Sequence, residues 1–563
     1  MKVNAKRLLA MLAALALTVA PLAGCSSNDD GGSTSSAGGT SSAASSTAST
    51  NGGEEAPTGT PAPGGLTWPL VPEKTEFSIL AHSTPCEGPG AWMDPNEIPF
   101  YKEYEEKTNV HINWETITYD AWTERMNILI AGGDMPDAFM KGKITDSDLI
   151  KNGTNEVFVN LKDLIPQYAP NFNALLQKHD GAKFITLADG IWGMPYVLES
   201  DSIRISKIFL NEEWLKAVNK EMPTTTDEFL DVLRAFRDQD ANGDGDASNE
   251  TPLGSTSLAG VLSSFYGAFG MQNRGSSNAY IDADPSDPSK VRFYRACDDM
   301  KPLLKYAKTL YDEKLIDQNI FSPDGSNLFW DNISTNKVGA HMYWATVVGP
   351  ELVDMYQPIP EALEGPGGKV WTSVGSLFSS KGAFVITSNC KQPEVLLSWV
   401  DYFYSEEGAA NYLLGTEGVS YIKEADGTLT QTELISNNPD GLSQEQALLR
   451  YSLSSGGQNP SMATDNTFKG GETYPTSLKG TENMRPYLPE EVWFAFPWTA
   501  EQSAVIAQVK PDIDTVITEF EAKFITGELD IDADWQSYQD TLKTAGVEKY
   551  IATYQEALEG LKG

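Results

Sequence analysis

A run of oxygen-bearing side chains at alternate positions carries the clearest chemistry in this sequence. Asp240, Asn242 and Asp244 stand at positions one, three and five of a loop, followed by Gly245 at position six and Asp246 at position seven. Position six of a calcium loop needs a sharp turn, and position seven ligates through its backbone carbonyl. Hard oxygen ligands on alternate residues suit a hard cation, so the pattern predicts calcium binding.

The end of the loop departs from the helix–loop–helix calcium motif, the EF-hand. Glu250 stands at position eleven instead of twelve, and Pro252 follows at once, which argues against an ordinary second helix. We therefore predict one calcium-stapled loop with a structural role, and the alternative is an Asp/Asn/Gly turn that binds no ion. The predicted ligands are Asp240, Asn242, Asp244, Asp246, Asn249 and Glu250.

Predicted secondary structure positions this loop. A hydrophobic strand beginning at Phe209 runs into a short helix that carries Trp214 and Leu215. A second helix starts at an N-cap, either Thr225 or Thr226, with acids in its first turn and apolar residues at helical spacing behind them. Its end leads directly into the oxygen-rich loop.

This order of elements resembles a known family. Asn211 with Trp214-Leu215, then Pro223-Thr224 with Glu228-Phe229, then the Asp/Asn/Gly loop resemble the extracellular solute-binding proteins, family 1. The resemblance is strongest to the large calcium-loop lipoproteins that serve ABC sugar importers. Members close the loop with Asp-Glu-Ile-Pro, whereas this chain has Asn-Glu-Thr-Pro at 249–252 after one extra residue. Further similar segments are 105–110, 133–139, 189–196, 382–387 and 393–419.

The resemblance implies an α/β fold of two lobes joined by a hinge, the type II periplasmic-binding-protein-like arrangement. Strands are expected at 76–80, 110–115 and 382–387, and a helix at 122–132. The implied division gives a signal peptide (1–24), a disordered Ser/Thr/Gly linker (25–70), lobe 1 (71–198 and 382–470) and lobe 2 (199–381 and 471–563).

The ligand site is expected in the cleft between the lobes. Aromatic faces suit the C–H faces of sugars, and polar side chains take sugar hydroxyls. Asp134 and Asp137 are candidates for hydroxyl contacts, with loop and helix capping as the alternative role. The candidate stacking residues are Tyr343, Trp344, Trp371, Trp192 and Trp498.

The N-terminus has the pattern of a bacterial lipoprotein signal. Basic residues precede an apolar segment at 8–20 that is too short for a confident membrane span, and small residues lead directly to Cys25. Cleavage before Cys25 and lipidation of its thiol would anchor the protein on the extracellular face of a Gram-positive membrane. The alternative is ordinary signal cleavage with an incidental cysteine. For the linker, the alternative is a glycosylated stalk.

Composition limits the remaining functions. The 563 residues include 41 Lys and Arg against 78 Asp and Glu, a net charge of −37, which repels nucleic acid and anionic membrane surfaces. The four histidines form no paired metal motif, and no phosphate-binding Gly-Lys-Ser/Thr loop or Gly-x-Ser-x-Gly elbow is present. With Cys25 lipidated, the other three cysteines allow at most one disulfide.

Two functions from different classes follow. The first is a monomeric, lipid-anchored receptor that closes over a carbohydrate, most simply an oligosaccharide, and delivers it to ABC permease subunits without altering it. The second is a surface carbohydrate-active enzyme such as a glycoside hydrolase. Such an enzyme needs two carboxylates at catalytic spacing, and a sequence does not show which of its acids have that spacing.

Overall fold

The computed structural model of the chain describes residues 60–82 and 94–562. Within this part of the chain, ten strands form two main sheets and are labelled β1–β10 in chain order. They are Thr75–His82, Val110–Ile117, Ala138–Met140, Met194–Leu198, Phe209–Asn211, Thr251–Leu253, Val338–His341, Tyr356–Pro358, Phe378–Ile386 and Met462–Ala463.

Helices of six or more residues are labelled α1–α15. They are Pro99–Thr108, Trp122–Gly132, Asp146–Thr154, Pro170–Lys178, Glu212–Ala217, Thr226–Asp238, Leu258–Ser263, Met300–Asp312, Pro323–Ile333, Pro393–Asp401, Glu406–Leu414, Pro475–Met484, Ala500–Thr526, Trp535–Thr544 and Val547–Lys562. Shorter helices span Ile165–Tyr168, Ala182–Ile185, Asp201–Arg204, Glu433–Ser436 and Gln444–Leu448. Small strand pairs join Thr60–Pro61 to Thr67–Trp68, Ile281–Asp284 to Asp287–Phe293, and Tyr421–Lys423 to Leu429–Gln431.

The first sheet has six strands in the order β10-β4-β9-β3-β1-β2, all parallel except β9. Its core takes buried residues from 68 to 198 and from 377 to 463. We call this sheet with its helices lobe 1. Because both faces of the sheet are covered, strands such as β3 and β4 are apolar and buried along their whole length.

The second sheet has four strands in the order β8-β5-β7-β6, in which β5 runs against the other three. Its core takes residues from 205 to 374 and from 484 to 558, and we call this part lobe 2. The two lobes are in contact, with α3 of lobe 1 against α13 of lobe 2, and together they form one compact unit. The α/β, two-lobed fold class is confirmed, whereas the predicted residue limits of the lobes remain predictions.

Several predicted elements are confirmed. The helix Trp122–Gly132 has the predicted bounds, and it ends at Gly133 with a φ of 76°. Thr225 is the N-cap of α6, since its hydroxyl accepts a hydrogen bond from the Glu228 N–H at 3.1 Å. The strand predicted at 382–387 begins earlier, at Phe378.

The predicted disordered linker is corrected at its C-terminal end. Thr60–Pro61 already pairs with Thr67–Trp68, so order begins before residue 70. Trp68 is buried and holds the segment, with its ring edge-on to Tyr104 at 5.9 Å and to Tyr402 at 5.6 Å. The predicted signal peptide, Cys25 and most of the predicted linker lie outside the described residues. No helix within residues 60–82 and 94–562 is both long and apolar enough to cross a bilayer.

Candidate functional site

Strand direction decides which edges of the two sheets face each other. The chain leaves the carboxyl end of β4 and enters lobe 2 at the amino end of β5. Since β1, β2, β3 and β10 are parallel to β4, their carboxyl ends lie at the same edge of lobe 1. Since β6, β7 and β8 run against β5, their carboxyl ends point back towards lobe 1. Ligands of open α/β sheets bind at carboxyl edges, so these two edges define the candidate site.

Four aromatic residues cluster at the lobe 2 edge, and we call them the aromatic platform: Phe329, Trp330, Tyr343 and Trp344. Phe329 is buried beneath Tyr343, with ring centroids 4.7 Å apart. Trp330 and Trp344 lie on the outside, with centroids 6.0 Å apart, and they are 41% and 40% exposed. The platform therefore presents two indoles to solvent over a buried base.

Hydrogen bonds fix the platform in place. The backbone N–H and the hydroxyl of Thr256, which follows β6, contact the Tyr343 hydroxyl at 2.9 and 2.6 Å. The Tyr343 N–H donates to Nδ1 of His341 at 3.2 Å. Burial lowers the pKa of His341 to about 3, so this ring stays neutral and Nδ1 remains an acceptor at physiological pH.

Trp344 also lies against the segment through which the chain crosses from β10 to α12. A Cβ on Gly471 would come 2.4 Å from Cδ1 and 2.8 Å from Cβ of Trp344. Glycine is therefore the residue that lets this indole lie on the crossing segment. One side chain thus touches both the candidate site and a connection between the lobes.

The lobe 1 edge is polar and cationic. Tyr119 follows β2, and the ammonium of Lys143, which follows β3, lies 3.6 Å from its ring centroid. His82 ends β1 with its ring 5.0 Å from that of Tyr119. Burial, with the charges of Lys141 and Lys143, lowers the pKa of His82 to about 4, so the ring is neutral. Neither ring nitrogen of His82 has a hydrogen-bond partner among the described residues.

A buried lysine organises the loop beside Tyr119. The Lys141 ammonium donates to the carbonyls of Leu453 and Ser455, and desolvation lowers its pKa to about 7. Further along this loop, Gln458 bonds the Tyr119 hydroxyl at 3.2 Å. With its amide oriented to satisfy both ends, it also donates to the Lys141 and Gly142 carbonyls at 3.2 and 2.7 Å. Lys141 therefore positions the polar side of the lobe 1 edge.

The sequence-predicted stacking residues separate into two groups. Tyr343 and Trp344 are together on the platform. Trp192 is buried in lobe 1, where its Nε1–H donates to the Leu187 carbonyl at 2.7 Å. Trp371 is buried in the core of lobe 2. Trp498 is half-buried where the lobes meet: its ring is edge-on to Tyr554 at 4.8 Å, and its carbonyl accepts from the Ala188 N–H. The structure thus brings two of the five to the candidate site.

The two predicted acidic contacts lie elsewhere. Asp137 directly precedes β3, so it stands at the amino edge of the sheet, opposite the candidate site. Its carboxylate accepts from the Ser78 N–H at 2.7 Å and the Ser78 hydroxyl at 2.8 Å. Asp134 is exposed in the same loop. The contacts of Asp137 favour the alternative role that the sequence left open, which is to cap and hold this loop.

The two facing edges also contain residues that were not among the predicted site residues: Tyr119, Lys143, Gln458, Thr256 and Trp330. Tyr119, Lys143 and Thr256 follow strands, Trp330 lies on α9, and Gln458 lies in the loop before β10, and none of them has a local motif around it. The usable signal was the position of Tyr119 shortly after the strand predicted at 110–115, because ligand sites of α/β sheets lie at the carboxyl ends of strands.

The predicted calcium loop folds as a tight turn between α6 and β6. Gly243 and Gly245 have φ angles of 75° and 93°, in the left-handed region that favours glycine. The Gly245 N–H donates to Oδ2 of Asp240 at 2.9 Å and closes the loop. Asn249 donates to Asp244 at 2.7 Å, and the Ala241 N–H donates to Oε1 of Glu250 at 3.1 Å.

The donor set of this loop fits a calcium ion in its chemistry. Oε2 of Glu250 is buried and has no hydrogen-bond partner in the part of the chain that the structure describes, and desolvation raises the pKa of this carboxyl, which a cation would reverse. Among the described residues no three acidic, histidine or cysteine side chains already converge on one point. Asparagine and backbone oxygens would therefore have to supply part of the coordination, as they do in calcium loops.

Two open surface cavities lie away from the facing edges. One, of about 310 Å³, lies beside α4 and includes Asn173 and Gln177, and the other, of about 390 Å³, includes Phe269 and Gly367. Neither contains a platform residue or a residue of the lobe 1 edge. The strand directions and the exposed indoles therefore carry more weight than cavity size in locating the site.

The carboxyl edges of the two sheets face each other, and several segments of the chain cross from one lobe to the other. These features define the class of two-lobed binding proteins. Residues 97–410, more than half of the chain, match the bacterial extracellular solute-binding proteins. The chain belongs to this family, and the predicted resemblance is confirmed.

Individual relatives agree with this assignment. The chain is similar to the fructooligosaccharide ABC transporter substrate-binding protein FusA of Streptococcus pneumoniae serotype 4, at 28% identity over 517 residues, 87% of this chain and 91% of the relative. Lipoprotein LipO of Bacillus subtilis is 24% identical over 493 residues, 81% of this chain and 87% of the relative. The structure of a FusA EF-hand mutant in complex with fructo-nystose superposes with a TM-score of 0.69 at 25% identity, covering 87% of this chain and 99% of that chain.

Proposed function

We propose that this chain is the extracellular ligand-binding component of an ABC importer and that it binds an oligosaccharide between its lobes. The observation that carries the proposal is the pairing of an exposed aromatic platform on lobe 2 with a polar edge on lobe 1. Indoles take the C–H faces of sugar rings, while Lys143, Gln458 and Thr256 offer partners for hydroxyls. The name of the similar protein FusA, a fructooligosaccharide-binding protein, supports this ligand class.

Ligand release without chemical change separates this function from a glycoside hydrolase. The protein is to be screened by thermal shift and calorimetry against mono-, di-, tri- and tetrasaccharides of several series, including kestose and nystose. We expect saturable binding of at least one oligosaccharide and complete recovery of that sugar by chromatography. Recovered fragments of the sugar would identify an enzyme, and no binding across the panel would contradict the proposed ligand class.

A lipid anchor at Cys25 and a monomeric state complete the proposal. The small residues before Cys25 and the polar segment after it fit a domain tethered outside the membrane. The similarity to a protein named lipoprotein supports the anchor. ABC permease subunits are the proposed partners, which would receive the sugar when the lobes open.

We also propose that Asp240, Asn242, Asp244, Asp246, Asn249 and Glu250 hold a structural calcium ion. An ion there would neutralise the loop acids and tie the end of α6 to β6. The similar structure of FusA is that of an EF-hand mutant, and this likeness supports a calcium loop in the present chain. The platform is built on other elements, so the ion is expected to stabilise lobe 2 without contacting the sugar.

Trp344→Ala is expected to weaken oligosaccharide binding by at least ~1 kcal/mol, about fivefold, because one stacking face is lost. The melting temperature should change little, since the ring is 40% exposed. Calorimetry with the best sugar from the panel measures the first effect and thermal denaturation the second. Phe321→Ala, an exposed aromatic outside the platform, is the control. Unchanged affinity in Trp344→Ala would remove this residue from the site.

Gly471→Ala is expected to weaken binding without touching the ligand. The new Cβ would overlap Trp344, and overpacking of this kind costs about 1–3 kcal/mol. Gly375→Ala is a matched control on the segment that leads from β8 of lobe 2 to β9 of lobe 1. There the nearest atom to a new Cβ is the Arg204 carbonyl oxygen at 3.7 Å. Calorimetric titration of both variants with the best sugar from the panel measures their affinities. Equal affinity of the two would show that Trp344 does not depend on Gly471.

A further inference from the structure

The most exposed tryptophans of the described chain are neighbours. Of the tryptophans within residues 60–82 and 94–562, only Trp330 and Trp344 keep about two-fifths of their surface in solvent, at 41% and 40%. They come from different elements, since Trp330 lies on α9 and Trp344 follows β7. Tryptophan is usually buried, so two exposed indoles brought together by the fold indicate a binding surface.

The ring of Trp330 is held by its neighbours. Its centroid lies 5.0 Å from that of Phe329, which is buried, and 5.6 Å from that of Tyr343. Both contacts are close to edge-to-face, at 72° and 63°. A ring fixed in this way loses little conformational freedom when a ligand covers it, which favours binding.

The geometry of the pair leaves both indoles available. Their centroids are 6.0 Å apart and their planes differ by 35°, so the rings face similar directions. Two rings stacked fully face to face would have closer centroids, and each of these two indoles retains exposed surface. A single sugar ring covers about one indole, so the two together offer room for successive sugar units.

We propose that Trp330 is a second stacking residue and that the site therefore selects ligands of at least two linked sugar units over monosaccharides. This inference rests on the proposed function and adds to it a specificity-determining residue and a lower limit on ligand length. Trp344 holds the sugar unit nearest the crossing segment, and Trp330 holds the adjoining unit further out along α9.

The test compares Trp330→Ala with Leu328→Ala. Leu328 lies on the same helix, is 39% exposed and is not a platform residue, so its variant reports any general effect of truncating α9. Each variant, Trp344→Ala and the unmodified protein are to be titrated with the mono- to tetrasaccharide members of each sugar series that binds in the panel. Thermal denaturation confirms folding, and Trp330→Phe, which keeps an aromatic face, tests rescue.

We expect Trp330→Ala to lower the affinity for tri- and tetrasaccharides at least about fivefold and to remove most of the advantage of long over short sugars. Trp344→Ala should lower affinity at every length, while Leu328→Ala and Trp330→Phe should bind nearly as the unmodified protein does. The same length dependence in Trp330→Ala as in the unmodified protein would overturn the inference and leave oligosaccharide binding intact. Absence of any sugar binding to the unmodified protein would instead overturn the proposed function.

Discussion

Glu521→Ala is expected to destabilise the protein by about 3–5 kcal/mol, because it leaves a buried guanidinium without its counter-charge. Nη2 of Arg295 lies 2.5 Å from Oε2 of Glu521, and both side chains are only 5% exposed. The guanidinium also lies 5.6 Å from the Tyr266 ring and 5.5 Å from the Tyr280 ring, so no water can readily replace the lost carboxylate. The pair ties α13 to the segment before α8 within lobe 2.

Chemical denaturation of Glu521→Ala measures this loss. A second variant separates the cost of an unpaired charge from the loss of packing, since Arg295→Met combined with Glu521→Leu replaces both charged groups with apolar side chains. Such replacements of buried pairs are often neutral or stabilising, so most of the stability should return. A single variant as stable as the unmodified protein would show that this ion pair is dispensable.

Removal of calcium is expected to lower the stability of lobe 2 by roughly 3 kcal/mol, the linkage free energy when the free ion is about a hundredfold above its dissociation constant. Thermal denaturation with excess calcium and with a chelator measures the difference. The physical reason is the set of carboxylates from Asp240 to Glu250, which repel one another and include a buried oxygen with no hydrogen-bond partner among the described residues. Elemental analysis should find one ion per chain.

Asp244→Ala should abolish the response to the chelator, because it removes an oxygen from the middle of the loop. Asp426→Ala is the matched control, since Asp426 also accepts a backbone N–H in an exposed turn, at 2.9 Å from Thr428, but stands outside the loop. An identical melting temperature with and without chelator, together with no bound calcium, would contradict the calcium proposal. Oligosaccharide binding measured in the same conditions shows whether the ion acts on stability alone.

Local patterns were reliable wherever the physical cause is local. The helix at 122–132 follows from apolar spacing and a glycine stop, and the start of α6 follows from a threonine cap with acids behind it. The tight turn at Asp240–Glu250 follows from glycines at positions that need a positive φ. These features depend on residues within a few positions of each other, so the sequence contains what decides them.

Exposure of aromatic side chains depended on the tertiary structure. Trp192, Trp371 and Trp344 were all candidates by residue type, yet the first two are buried and only Trp344 of the three is open to solvent. Burial of a tryptophan is decided by residues far away in sequence, as when the loop before α12 supplies Gly471 beneath Trp344. Trp330 lacked any local motif and was found only because the fold sets it beside Trp344.

The sequence by itself determined the family, the α/β class of the fold and the acidic loop. Tertiary structure alone decided which edge of each sheet faces the other lobe. Asp137 stands at the amino end of β3 and Lys143 just beyond its carboxyl end, and these positions fall on opposite edges of lobe 1. The direction of a strand relative to the crossing segments is set by pairing between distant strands, and residue spacing along the chain does not encode it.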